Sequence, residues 1–314
     1  MRLLLATIAG LPILSTSEAP AQVEFPPTCG MAPWGDGASQ RGVGMIGNGW
    51  DGEGQNSTTI YFRVENASPF LGPSQRQVFL EALSAWAEVV QIHFVELAFS
   101  NSARSIDFLW ADGDHCDLEP DECGEDLCGF NGMEFGAIAH GFYPPGIDNL
   151  CGGPSTESRA GNVHFDEDES FSTNPNNSGY SLKLTAAHMI GHALGLQDND
   201  LMGDHDVMGP IEWNENFIKI SQTDALQIQA GYAAGTGSVT TLESSGIWVN
   251  GAWLGPETGM PGCPFDTLQE GVAGLPPHHT GVTIHVLGGL YPGSITISEP
   301  CTIMSELGTA FIGQ

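Results

Sequence analysis

Residues 188–198 read "HMIGHALGLQD". On a helix, positions four apart share a face, so His188 and His192 present two imidazole nitrogens to one point. Gly195, three residues on, lets the chain turn sharply out of the helix and brings Asp198 round to the same point. Two imidazoles and a carboxylate are three ligands of a tetrahedral zinc, with the fourth position left for water. A lone pair of histidines at this spacing arises readily on an ordinary helix face, but the full string with Gly195 and Asp198 is far more specific. Next to the first histidine stands Met189, whose thioether has no titratable proton and accepts hydrogen bonds only weakly.

Upstream, "TTIYFRV" (58–64) alternates Ile60, Phe62 and Val64 on one face and predicts a half-buried strand. "SQRQVFLEALSAWAEVV" (74–90) pairs Ser74 with Gln77 as a capping box and spaces Phe79, Leu83, Trp86 and Val90 for a helix. "IHFVEL" (92–97) and "SIDFLWA" (105–111) return to period two, so the order strand, helix, strand, strand predicts a mixed sheet crossed by a helix. The region 112–180 is rich in Gly, Asp, Pro and Cys, and a loop region that long needs metal ions or disulfides to organise it. The helix carrying the opening stretch starts near Leu182, and "SQTDALQIQAGY" (221–232) predicts another capped helix.

Residues 1–21 combine Arg2, an apolar run to Leu14 and small residues around Ala19-Pro20-Ala21, which predicts a secretory signal peptide and an extracellular protein with no membrane span. The chain carries 8 basic against 38 acidic residues, a formal charge of −30, which repels nucleic acid and anionic membrane and suits cations. The bland reading of this charge is solubility. The seven cysteines are Cys29, Cys116, Cys123, Cys128, Cys151, Cys263 and Cys301. They form no C-x-x-C, so disulfides are expected, among Cys116–Cys151 and separately between Cys263 and Cys301, with one thiol left over. Residues 22–56 read as an irregular lead-in, 57–232 as the main domain and 233–245 as a linker. In 246–314, "FDTLQEGVAGL" predicts a brief helix, and "VTIHV" (282–286), "SITIS" (294–298), "CTIM" (301–304) and "TAFIG" (309–313) predict short strands.

"AAHMIGHALGLQD", followed by "DVMGP", resembles the H-E-x-x-H-x-x-G-x-x-H/D signature and methionine turn of the metzincins, with Met208 in the turn. "DGDHCD" (112–117), "AIAHGFYPPG" (137–146) and "GNVHFDEDES" (161–170) resemble the segments with which the matrixin branch, the matrix metalloproteinase type, holds a structural zinc and calcium. The resemblance spans about 175 residues and implies an α+β fold: a mixed twisted sheet with long helices, plus a small C-terminal β-rich segment. It implies a catalytic-type zinc on His188, His192 and Asp198, and a closed structural zinc on His115, Asp117, His140 and His164. It implies calcium on Asp166 and Glu169, with Asn131 and Asn162 as weaker candidates. Residues 246–314 resemble the cap and first coil of a pectin-lyase-like parallel β-helix. One coil cannot bury its own stacking face, so the expectation is that it packs on the main domain or that the chain has lost its continuation.

Two departures bear on function. Asp198 replaces the matrixin histidine, as in snapalysin-like metzincins; His205 is a weaker substitute ligand. Met189 replaces the glutamate that, in the family mechanism, takes the proton of the attacking water and passes it to the leaving amine. Losing such a base costs about 10²–10⁴ in rate, or about 3–5 kcal/mol of barrier. Asp200, Asp204 and Asp206 are the nearby carboxylates that could stand in for it. "PPTCGMAP" (26–33) is a faint match to a matrixin cysteine switch, against a plain disulfide or free thiol for Cys29. "PIEWNENF" (210–217) is where a specificity pocket would be shaped. Three readings follow: a zinc metalloendopeptidase acting on protein or peptide, a zinc-loaded polypeptide- or surface-binding module without catalysis, and an adhesin-like role through the C-terminal segment.

Overall fold

The computed structural model describes residues 45, 49–51, 57–99, 105–111, 138–144, 148–149, 153–154, 160–174, 179–198, 207–209 and 218–313. Period-two alternation becomes strands β1 (Thr58–Val64), β2 (Ile92–Glu96) and β3 (Ser105–Ala111). The 3.6-residue pattern becomes helix α1 (Ser74–Ala87). Strands β4 (Ala139–Gly141) and β5 (Val163–Asp166) follow, then helices α2 (Leu182–Ala193) and α3 (Gln222–Gly231). Next comes β6 (Ser238–Thr240). The six strands form one sheet in the order β6-β2-β1-β3-β5-β4, parallel throughout except at the β4 edge.

Helix α1 buries Val78, Phe79, Ala82, Leu83 and Trp86, the i, i+3, i+4 set of an amphipathic helix lying on a sheet. Phe79 stacks on Phe108 of β3 with centroids 4.6 Å apart, and the Trp86 indole N–H donates to the Ala187 carbonyl of α2 at 2.8 Å. These contacts fix α2 relative to the sheet, and truncating Phe79 or Trp86 to alanine would cost about 3–5 kcal/mol. The expected capping box does not form. The N-cap is Pro73 and makes no side-chain cap bond, while Ser74 Oγ instead meets Thr173 Oγ1 at 2.8 Å.

The lead-in and the linker both contribute to this core. Met45 and Trp50 are buried in it, and the Trp50 indole donates to the Ala193 carbonyl at 2.7 Å. The stretch expected as a linker carries β6, which adds to the sheet edge because its backbone pairs in parallel with His93–Val95 of β2.

The C-terminal unit contains α4 (Leu242–Ser245), β7 (Ile247–Val249), α5 (Leu268–Ala273), β8 (Val282–Tyr291) and β9 (Cys301–Ile312). Helix α5 has a complete capping box between Thr267 and Glu270. The three strands form a parallel sheet in the order β7-β8-β9. Residues 294–298 are not a strand, and the two runs expected at 301–304 and 309–313 join into one bent strand. The coil has its own core, to which the main domain lends Ala98.

A buried ion cluster seats one unit on the other. Arg76 of α1 contacts Glu96 at 2.6 Å and Glu243 of α4 at 2.7 Å, and Glu96 also accepts from the Leu242 N–H at 2.9 Å. The expected Cys263–Cys301 bridge is absent: Cys263 is disulfide-bonded outside the described residues, and Cys301 is a free thiol. No helix among the described residues is long and apolar enough to cross a membrane.

Candidate metal centre

Helix α2 opens on Ser181, whose hydroxyl accepts from the Leu184 N–H, and closes on a Schellman turn. In that turn the Gly195 N–H donates to the His192 carbonyl at 2.8 Å and the Leu196 N–H to the Gly191 carbonyl at 2.9 Å. Gly195 sits at φ 103°, the left-handed region that a side chain resists. The reversal does two things for His192. It swings the Leu196 carbonyl under the ring, where it accepts from Nδ1 at 2.8 Å, and it returns Asp198 to the mouth of the site. His188 is oriented in the same way by the Val207 carbonyl, 2.7 Å from its Nδ1.

Carbonyl oxygens only accept, so both imidazoles carry their proton on Nδ1 and turn a bare Nε2 lone pair outward. Those lone pairs face one carboxylate oxygen: Asp198 Oδ1 lies 3.1 Å from His188 Nε2 and 3.4 Å from His192 Nε2. Three acceptors converging with no donor between them repel one another unless a cation joins them. Protons are the poorer solution at His188, because burial pulls its basicity down even though Asp198 pulls the other way. Only with protons on Nε2 in place of a cation would the two histidines donate to Asp198 and hold its carboxylate well below the usual carboxylate range. The donor set fits a divalent ion, since ligand atoms about 2.0–2.1 Å from a tetrahedral zinc stand about 3.3 Å apart.

The floor of the site is apolar. Met208, fully buried, lies against Gly191 so closely that a methyl group there would overlap its sulfur. Met189 is 8% exposed and belongs to the hydrophobic core. Strand β4 closes one side: a Cβ on Gly141 would meet the Met189 carbonyl at 2.7 Å. Just beyond β4, Tyr143 sets its ring edge-on to His192 at 5.7 Å, and burial with the nearby Asp198 charge pushes its phenol up to about 12. The phenol therefore keeps its proton at any ordinary pH. Sequence reasoning passed over Tyr143 because an aromatic in a proline-rich loop carries no spacing signal.

Of the second expected metal set, His140 and His164 stand directly opposite each other on the antiparallel β4–β5 pair, with His140 Nε2 2.9 Å from His164 Nδ1. Their expected companions His115 and Asp117 lie outside the described residues, as do Asn131, Cys29, His205 and the carboxylates Asp200, Asp204 and Asp206. Asp166 ends β5, where Oδ1 accepts from the Asp168 N–H at 2.9 Å, and Glu169 follows in the turn, half-buried. Asn162 is buried just before β5.

Comparison with known proteins agrees with this geometry. The chain is 31% identical to matrix metalloproteinase-16 of Rattus norvegicus over 182 residues, covering 55% of this chain and 26% of that protein. It is 33% identical to karilysin of Tannerella forsythia over 147 residues, covering 46% and 27%. It is 32% identical to interstitial collagenase of Equus caballus over 177 residues, covering 56% and 32%. The chain thus spans about a quarter to a third of the length of the curated relatives it matches. The matrixin family profile matches residues 53–233, more than half of the chain and all of the elements that build the site. With its mixed sheet, its helix-borne histidine pair and the buried Met208 beneath them, the chain belongs to the matrixins, a family of zinc metalloendopeptidases.

Proposed function

We propose that this chain is an extracellular matrixin that keeps the metal centre on His188, His192 and Asp198 but hydrolyses peptide bonds weakly or not at all, and acts by holding polypeptide in its cleft. The observation that carries the reading is Met189, a buried thioether at the position that should supply the general base. A zinc ion at the triad would supply Lewis acidity to a substrate carbonyl oxygen. The chain's own part is to orient two imidazoles through the Leu196 and Val207 carbonyls and to bring Asp198 Oδ1 to both Nε2 atoms. Met189 can neither take a proton from water nor return one to a leaving amine, so that half of the chemistry has no carrier among the described residues.

The remaining expectations belong to the same reading. His115, Asp117, His140 and His164 form a closed zinc site that organises the loop region 112–180, which the approach of the His140 and His164 rings supports. Asp166 and Glu169 hold calcium, with oxygen donors suited to a hard cation. Residues 1–21 direct export, and a disulfide at Cys263 fits an oxidising compartment.

The test is a fluorescence-labelled mixed peptide library added to the zinc-loaded protein. Chelator-sensitive retention of peptides that mass spectrometry finds intact is expected. Rapid appearance of new termini would contradict the reading, and so would a failure to retain any peptide.

A further inference from the structure

The turn 276–280, between α5 and β8, buries a histidine that no hydrogen bond explains. His279 is 8% exposed, both its ring nitrogens are shut off from solvent, and among the described residues neither has a hydrogen-bond partner. A neutral imidazole has one N–H to donate and one lone pair to accept with, and here both go unsatisfied. The backbone beside it is also strained: His278 sits at φ 57°, a left-handed conformation that a residue with a side chain resists. What holds the turn closed is Thr280, whose N–H donates to Glu243 Oε1 at 3.2 Å.

Glu243 is also the carboxylate by which α4 grips Arg76 of α1, so the turn rests on the joint between the two units. Charged groups face His279 from three elements: Glu243 on α4, Arg76 on α1 and Glu299 in the loop between β8 and β9. Glu96 of β2 stands behind Arg76. Glu243 and Glu299 draw a proton to the ring, and the guanidinium repels one. The buried oxygens are committed elsewhere, those of Glu243 to Arg76 and Thr280, those of Glu96 to Arg76 and the Leu242 N–H. An imidazolium in this place would hold two N–H donors and a charge with no acceptor of its own.

Burial therefore outweighs the carboxylates and lowers the basicity of the ring below its ordinary 6.5. When the turn opens, the ring meets water and regains that basicity. The closed joint is at full strength above 6.5, and protons favour the open turn as pH falls below it. A ring that charges only when open shifts the balance by about tenfold at a pH one unit lower. The titration of Glu243 itself acts in a separate window, below 4.5.

We propose that His279 is an acid-sensitive latch: in mild acid its imidazolium loosens the turn 276–280 and, with it, the joint of α4 on α1 that seats the coil on the matrixin domain.

Amide hydrogen exchange on the full-length chain, with zinc present throughout, tests this at about pH 7.5 and about pH 5.5. Two amides report on the joint, the Leu242 N–H held by Glu96 and the Thr280 N–H held by Glu243. After correction for the intrinsic effect of pH on exchange, peptides covering them should lose about tenfold in protection at the lower pH. Peptides from α1 should keep theirs. His279→Phe, which fills the place with a ring that never charges, should hold protection at the joint equal at both pH values. If that variant does not fold, His279→Gln, uncharged at every pH, carries the same comparison. Protection in the parent that does not change with pH would overturn the latch, and so would a loss shared equally by α1. A loss that persists in the uncharged variant would overturn it too and pass the role to Glu96.

Discussion

Asp198 Oδ1 stands 3.1 Å from His188 Nε2 although the other nitrogen of that ring is already committed to the Val207 carbonyl. An ionised carboxylate and a bare imidazole lone pair do not approach so closely without a cation between them. This pair ties the turn after α2 to the candidate metal centre.

Replacing Asp198 with alanine should therefore weaken zinc binding by more than the roughly 10–100-fold that loss of an outer partner brings, without unfolding the domain. Equilibrium dialysis against a competing chelator measures it. Affinity unchanged by Asp198→Ala would mean that the third ligand lies elsewhere.

Gly191 leaves room on the helix for the Met208 side chain, whose sulfur a Cβ there would overlap. Gly191→Ala should overpack this contact and destabilise the domain by about 1–3 kcal/mol. Thermal unfolding of parent and variant checks it, and an equal midpoint would show that Met208 can move aside at no cost.

Arg76 is 4% exposed and faces Glu96, at 1%. Arg76→Met should leave Glu96 as a buried, unpaired charge and destabilise by about 3–5 kcal/mol. Urea unfolding at neutral pH reads this directly.

The same cluster makes the seating of the coil sensitive to acid. Burial pushes the Glu243 carboxyl up, but hydrogen bonds and attraction from Arg76 outweigh it and hold the group below its ordinary 4.5. Stability from a lowered carboxyl is present above 4.5 and is lost as pH falls through the folded value. Glu96, which burial holds above its ordinary value against Arg76, gains its proton early and tempers the loss. The advantage of the parent over Glu243→Gln should thus shrink as pH falls below about 4.5. A difference that stays constant with pH would contradict the assignment.

The parts of this protein that repeat with a period were legible in the sequence. β1, α1, β2 and β3 fall where alternation and helical spacing put them, and "HMIGHALGLQD" encodes both the histidine face and the glycine turn that returns Asp198. Features made by distant partners were not. Nothing in the helical pattern of 74–90 marks Arg76 as buried, and its partner Glu243 lies 167 residues away. Trp50 reads as loop, but its indole ends under Ala193. β6 is three residues in a stretch of Gly, Ser and Thr, and only the edge of β2 makes it a strand. Cys301 looked like a partner for Cys263, but a cysteine's pairing depends on which chain segments meet, and spacing does not encode that.

The central claim is that the metal centre survives while the base beside it is gone. Its most direct measurement is peptide-bond turnover of Met189→Glu against the parent, at equal bound zinc. The account predicts that the variant is faster by about 10²–10⁴, the contribution of a positioned general base. Equal turnover in the two proteins would contradict it, because some other group would then be moving the proton.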